Sequence, residues 1–495
     1  MPSALPPLAD LEVWFLTGSQ HLYGPEALDQ VAHHAEQVCR GLDADSQIPL
    51  RVVFQPILTR PEEINATLMA ASQASQCVGV IAWMHTFSPA RMWIGGLQSL
   101  TKPLLHLHTQ FGRQLPWSTI DMDFMNLHQS AHGDREFGYL CTRMQLPRKV
   151  VVGHWQDDQV RREIGVWSRV AAARHDLRTA RIARLGDNMR EVAVTEGDKL
   201  AAQQQFGVAV DGYGVGTLAE RVIEVSEREV SDLCTVYDQT YELAPELQTQ
   251  GASRESLAEA ARIEIALRGL LASGPFVGFT DTFEDLHGLR QLPGIAVQRL
   301  MADGYGFGAE GDWKAAMLVR AAKVMASGIA GGTSFMEDYT YDLTPGGEQV
   351  LGAHMLEICP SIADGPVRCE IHPLGIGGKE PPVRLVFDAA VRPAVNASLV
   401  DLGDRFRLIT SEVEGVAPPE PLARLPVARA LWRPLPDFKT AATAWIYAGG
   451  SHHTAYSQAL TGDHWRDFAE MSGVEMVEID GSTELRALRT SMGGI

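Results

Sequence analysis

None of the six cysteines (Cys39, Cys77, Cys141, Cys234, Cys359 and Cys369) pairs with another as CxxC. That excludes a zinc ribbon or a disulfide scaffold and predicts reduced thiols. No apolar run reaches the ~18 residues that cross a bilayer. The first ten residues hold no basic stretch followed by an apolar core, so no secretory leader is expected. Basic residues are also in deficit: 42 Lys and Arg stand against 61 Asp and Glu, a net charge of −19. Such a chain repels phosphate backbones and anionic lipid, so neither nucleic acid nor a membrane is expected as partner. The expected location is the cytoplasm. Apolar residues make up 45% and charged residues 21% of the 495, which argues for a folded chain rather than a disordered one. At about 150 residues per domain the length predicts roughly three domains, with a core large enough to need no staples.

Strand and helix patterns alternate over the first part of the chain. Residues 11–16, 50–58, 77–84 and 104–109 read as strands, and 25–42, 60–75 and 88–100 as helices. Pro25 sits where proline suits a helix start, and Ser88 reads as an N-cap. Near-continuous apolar strands alternating with helices predict a parallel sheet covered on both faces. A second alternating block follows, with strands at 150–152, 181–185, 208–210 and 276–279 and helical patterns over 217–272. After about Gly331 short β-rich segments separated by Gly and Pro take over, which predicts an antiparallel sheet or small barrel. The expected architecture is two Rossmann-like parallel α/β domains, 1–178 and 179–331, followed by a mainly β, barrel-like domain, 332–495. No repeat of 20–50 residues and no low-complexity tract interrupts it.

Gly306, Gly308 and Gly311 match the dinucleotide-binding G-x-G-x-x-G and precede a helical pattern. That fingerprint brings backbone close to a pyrophosphate at a helix N-terminus. Here Glu310 lies inside the loop and Asp312 directly after it, and two carboxylates repel the group they would cradle. A tight turn that fixes a carboxylate at a helix start is the better reading. Glu337 follows an apolar run, His354 lies in another, and His452 and His453 follow two glycines that let imidazoles converge. None of these is decisive alone. Together they offer carboxylates and imidazoles from strand ends and loops, a mixed O/N set suited to Mn²⁺ or a similar divalent ion.

Seven stretches make the sequence resemble the L-arabinose isomerases along nearly its whole length. They are Thr17-Gly-Ser-Gln-His-Leu-Tyr-Gly24, Ala131-His-Gly-Asp-Arg-Glu-Phe-Gly138, Gly304-Tyr-Gly-Phe-Gly-Ala-Glu-Gly-Asp-Trp-Lys314 and Thr333-Ser-Phe-Met-Glu-Asp-Tyr339. Further on come Leu351-Gly-Ala-His-Met-Leu-Glu-Ile-Cys-Pro-Ser361, Leu374-Gly-Ile-Gly-Gly-Lys379 and Gly449-Gly-Ser-His-His-Thr454. The resemblance implies a fucose-isomerase-like fold and interconversion of L-arabinose and L-ribulose, with D-galactose to D-tagatose as a side activity. It implies Mn²⁺, replaceable by Mg²⁺ or Co²⁺, on Glu310, Glu337, His354 and His453. Glu310 and Glu337 would also be the acid/base pair, and Gln20, His132, Phe283, Tyr339 and His452 the sugar contacts. It further implies a homohexamer or homotetramer in which residues such as Gln20 reach a neighbour's site.

The chain departs from the family pattern at Ser451, where alanine is frequent, at Asp342, where histidine is common, and at its end, Ile495, where many members continue. Two rival readings remain at this stage. An NAD-dependent sugar dehydrogenase would use the 306–311 glycines, but residues 295–301, read as the preceding strand, are broken by Gln298 and Arg299. A non-catalytic sugar binder would need only two α/β domains around a cleft, without the third, β-rich domain.

Overall fold

A computed structural model describes residues 5–375 and 378–492. Positions 376 and 377 of the Leu374–Lys379 motif, and the terminal residues 493–495, lie outside the described residues. The chain forms two compact units, Pro6–His175 with Glu470–Gly473, and Asp176–Ala469 with the stretch from Val474 onward.

The first unit is built on five strands, β1 (Glu12–Gly18), β2 (Arg51–Phe54), β3 (Cys77–Met84), β4 (Leu104–His108) and β5 (Lys149–Val152). They lie in the order β2-β1-β3-β4-β5, every pairing parallel. All eight residues of β3 are buried, as a strand covered on both faces requires. β2 ends at Phe54, short of the expected residue 58; beyond it Gln55 N still bonds the Phe15 carbonyl and Leu58 N the Thr17 carbonyl. Pro25 stands in the first turn of the helix Gly24–Asp43. Ser88 caps no helix; its hydroxyl accepts from the Trp93 indole at 3.0 Å, and a 3-10 turn Ala90–Trp93 leads into the short helix Ile94–Ser99.

The second unit begins with β6 (Arg181–Leu185), β7 (Ala209–Tyr213), β8 (Glu242–Leu243), β9 (Phe276–Asp281) and β10 (Gly306–Gly308). A four-stranded parallel sheet runs β10-β9-β6-β7. From Thr333 the strands are β11 (Thr333–Asp342), β12 (Gln349–Ala353), β13 (Arg368–Ile371), β14 (Val383–Val386), β15 (Pro393–Asp401), β16 (Phe406–Gly415), β17 (Arg429–Pro434), β18 (His453–Ser457) and β19 (Glu475–Ile479). The order β15-β18-β11-β12-β17-β16 is all antiparallel and closes through β15–β16, a six-stranded barrel. β19 adds to β16 in parallel, and β8, β13 and β14 form a small side sheet. The expected class, parallel α/β sheets followed by an antiparallel barrel, is what the chain adopts. The helix Phe438–Ala448 interrupts the β-rich stretch.

The helix Trp313–Met325 is buried at every residue and packs on β9 and β10 on one side and on β11, β15 and β18 on the other. It therefore joins the parallel sheet to the barrel. All six cysteines are buried and free, and burial pushes the Cys39 and Cys369 thiols up to about 12. No described helix is long and apolar enough to cross a membrane.

A further expectation fails locally. Residues 295–301 are not a strand but part of the helix Gly294–Ala302. Gln298, which looked like a strand breaker, is buried there, and its amide bonds the Ile358 and Leu385 carbonyls and the Leu385 N–H at 2.7–3.0 Å.

Candidate active site

The glycines of the 306–311 loop serve close packing. A Cβ on Gly306 would lie 2.0 Å from the Ala316 carbonyl, and one on Gly308 2.1 Å from the Asp312 carbonyl. Glycine lets the helix Trp313–Met325 fold back directly onto β10. Glu310 then takes a left-handed φ of 59°, which costs of order 1–3 kcal/mol for a non-glycine residue. Backbone bonds fix it there: the Glu310 carbonyl accepts from Met189 N at 3.0 Å, and Gly311 N donates to the Asp281 carbonyl at 2.9 Å. Asp312, next in line, caps the helix by accepting from Lys314 N and Ala315 N.

The barrel supplies the other side chains. Antiparallel register sets Glu337 of β11 opposite His453 of β18 and opposite Ala353 of β12, the residue before His354. Ligand atoms of Glu310, His354 and His453 all lie within 4.8 Å of one another. Glu337 joins their edge, its Oε2 3.8 Å from His354 Nε2. His452 Nε2 and His453 Nε2 lie 3.7 and 3.9 Å from Glu310 Oε2. Strand alternation therefore does not carry His452 away from the cluster, but its side chain is half-exposed whereas that of His453 is buried. Phe335 forms the floor, its ring edge-on to those of His354 and His453 at 5.1 and 5.0 Å.

The two inner imidazoles are oriented from behind. His453 Nδ1 lies 3.1 Å from Asp312 Oδ2, and His354 Nδ1 lies 2.5 Å from Glu357 Oε2. With Nδ1–H given to a carboxylate, each Nε2 lone pair faces the cluster. His453 Nε2 is buried and has no partner. An inward-facing, unpartnered imidazole nitrogen beside a carboxylate, without a thiolate, fits a divalent cation of the Mn²⁺ kind. Burial alone would raise Glu310, but His452, His453 and His354 outweigh it and hold the carboxyl below its usual range. Burial alone would lower His354, but Glu357, Glu337 and Glu310 push it up to about 9. Burial lowers His453 despite Asp312.

The remaining sequence-derived contacts divide between the units. Tyr339 stands beside the cluster, its hydroxyl 3.8 Å from the sulfur of Met355, and Phe283 follows β9, half-buried. Gln20, which precedes the short turn His21–Tyr23, and His132, whose ring lies 4.5 Å from that of Phe87, belong to the other compact unit. Ser451 accepts the His453 backbone N–H at 3.0 Å, a bond alanine cannot make. Asp342 builds the β11–β12 turn by bonding Thr344 and Gln349.

Comparison with known proteins covers the whole of this architecture. Models of the L-arabinose isomerase N-terminal, central and C-terminal domains match residues 7–179, 181–328 and 332–475. An L-arabinose isomerase of Herpetosiphon aurantiacus is 60% identical over 98% of this chain and 97% of its own. One of Nocardioides sp. is 60% identical over 97% and 95%, and one of Geobacillus stearothermophilus 57% over 98% and 97%. The chain belongs to the L-arabinose isomerase family. Among solved structures, a periplasmic sugar-binding protein from Legionella pneumophila covers 64% of this chain at 14% identity and a TM-score of 0.14, too low to carry any argument.

For this member of the L-arabinose isomerase family, the sequence reading missed Glu357 and gave Asp312 no role toward His453. The His354-x-x-Glu357 spacing was a usable signal; the Asp312–His453 pairing, 141 residues apart, was not. Asp312→Asn tests the pairing. An amide that still caps the helix with its oxygen turns NH₂ toward His453 Nδ1, which moves the imidazole proton to Nε2 and blocks it as a ligand. Mn²⁺ affinity measured by calorimetry is expected to fall about 10–100-fold, and unchanged affinity would show that Asp312 serves only as a cap.

Proposed function

We propose that the chain interconverts L-arabinose and L-ribulose, with D-galactose to D-tagatose as a side activity, through an enediol and with Mn²⁺ as cofactor. Mg²⁺ or Co²⁺ substitutes. The observation that carries this reading is the convergence of Glu310, His354 and His453, with the bare Nε2 of His453 among them. Glu337 completes the ligand set. A cation held there polarises the sugar oxygens and offsets the charge that develops on them.

Isomerisation shifts a proton from C2 to C1. One carboxylate of the Glu310–Glu337 pair takes it, the other serves the adjoining oxygens, and the roles exchange in reverse. His452, half-exposed beside Glu310, reaches a sugar oxygen, and Phe283 and Tyr339 line the sugar. The family pattern adds a cytoplasmic homohexamer or homotetramer in which residues such as Gln20 reach a neighbour's site, and His132 contacts the sugar.

The test is a metal-stripped sample restored in turn with Mn²⁺, Mg²⁺, Co²⁺ or Zn²⁺ and offered a panel of sugars, scored for ketose. Ketose is expected from L-arabinose above D-galactose, and best with Mn²⁺. Turnover that needs a nicotinamide cofactor, or no ketose with any metal, overturns the reading.

A further inference from the structure

The described residues of the Leu374–Lys379 motif have no part in the cluster, yet the last of them makes a specific connection. Lys379 Nζ donates to the Leu286 carbonyl at 2.6 Å and to the Leu289 carbonyl at 3.0 Å. It forms no ion pair among the described residues, so its whole charge is spent on one turn. That turn follows β9 and closes on itself through Asp285 N to the Thr282 carbonyl and Leu289 N to the Leu286 carbonyl. The half-buried Lys379 ammonium adds a charge-assisted bond to each of the Leu286 and Leu289 carbonyls at once.

The neighbours of Lys379 extend the connection. Glu380 N donates to the Arg290 carbonyl at 2.9 Å, the Glu380 carboxylate takes the Arg290 guanidinium at 3.0 Å, and Val383 N donates to Gln291 Oε1 at 3.0 Å. At the other end Glu284 and Asp285 hold Arg190, which follows the Met189 bonded to the Glu310 carbonyl. Phe283 directly precedes Glu284 at the start of this turn. β9 and β10 are paired in parallel up to Thr280 and Gly308, so the segments carrying Phe283 and Glu310 leave the same end of the sheet.

We infer that Lys379 is a positioning residue for sugar binding: it holds the 282–289 turn so that Phe283 keeps its place beside Glu310. This rests on the proposed isomerase reading, in which Phe283 faces the sugar. Because Lys379 touches neither carboxylate nor imidazole of the cluster, its loss acts on substrate affinity and leaves the metal site alone.

The experiment is a double-mutant cycle of Lys379→Met and Phe283→Ala on the full Mn²⁺-loaded chain, with Lys379→Arg as the conservative control. Lys379→Met is expected to raise KM for L-arabinose about tenfold, with kcat changed less than about threefold. Mn²⁺ affinity stays at the wild-type value. Phe283→Ala adds little in the Lys379→Met background, because both remove the same contact. Lys379→Arg restores most of the loss, since a guanidinium can also donate to both carbonyls. Additive effects, a wild-type KM in Lys379→Met, or Mn²⁺ affinity falling in step with KM each overturn the inference. If Lys379→Met fails to fold, the same cycle with Lys379→Arg decides, since its smaller KM change must still vanish without Phe283. A wild-type chain that makes no ketose sinks the isomerase reading and this inference with it, whereas an active wild type with an unaffected Lys379 variant sinks the inference alone.

Discussion

Glu310→Gln and Glu337→Gln are each expected to lower ketose formation by about 10²–10⁴-fold while circular dichroism stays native. Glutamine keeps the shape and an oxygen, so the packing around each position survives, but it cannot take a proton. The fold should tolerate both changes. Glu310 is held by its backbone carbonyl and by the Gly311 N–H rather than by its carboxylate, and Glu337 is kept in register by β12 and β18. Loss of charge weakens cation binding as well, so kcat must be read at saturating Mn²⁺. Deuterium at C2 of L-arabinose separates the two contributions. With proton transfer through a carboxyl, turnover slows and part of the label washes into solvent. Complete retention at C1 in both directions, even when turnover is slow, indicates a hydride shift and leaves both glutamates as ligands only.

The layout of the fold was legible where pattern and burial agree. β3 is a continuous apolar run because it is covered on both faces, and the change to short β segments near Gly331 marks the start of the barrel strands. The misreading at 294–302 has a definite cause. That helix is buried almost all round, so it shows no amphipathic period, and its nine residues are as short as a strand. Closure of the barrel was not legible, since the β15–β16 hairpin and the β15–β18 and β11–β18 pairings are fixed only by the assembled register.

The candidate site was legible through the family resemblance more than through spacing. Glu310 and His453 come from segments far apart in the chain and meet only because the helix Trp313–Met325 packs against both β10 and β18. Their orienting partners were harder still. Asp312 reads as an ordinary N-cap, and it is one, with Oδ1 on the helix; only the fold reveals that Oδ2 faces His453.

His453→Ala is expected to lower Mn²⁺ affinity by at least about 100-fold and to abolish turnover at ordinary metal concentrations, whereas His452→Ala keeps Mn²⁺ and loses only rate or substrate affinity. Both imidazoles approach Glu310 to a similar distance, so proximity does not separate them. What separates them is burial and support. His453 is buried, has Nδ1 fixed by Asp312 and leaves Nε2 bare, whereas His452 is half-exposed with its Nε2 facing the Glu310 carboxylate. His453→Ala also leaves Asp312 buried with one partner fewer. Lys314, 3.5 Å from Asp312 Oδ1, and the helix N–H groups still hold that carboxylate, so the loss of melting temperature should be modest beside the loss of metal. Calorimetric titration of Mn²⁺ into each metal-stripped variant, followed by kinetics at saturating Mn²⁺, makes the comparison. Equal loss of affinity in the two variants would make His452 a ligand as well. Full affinity in His453→Ala would remove His453 from the site altogether.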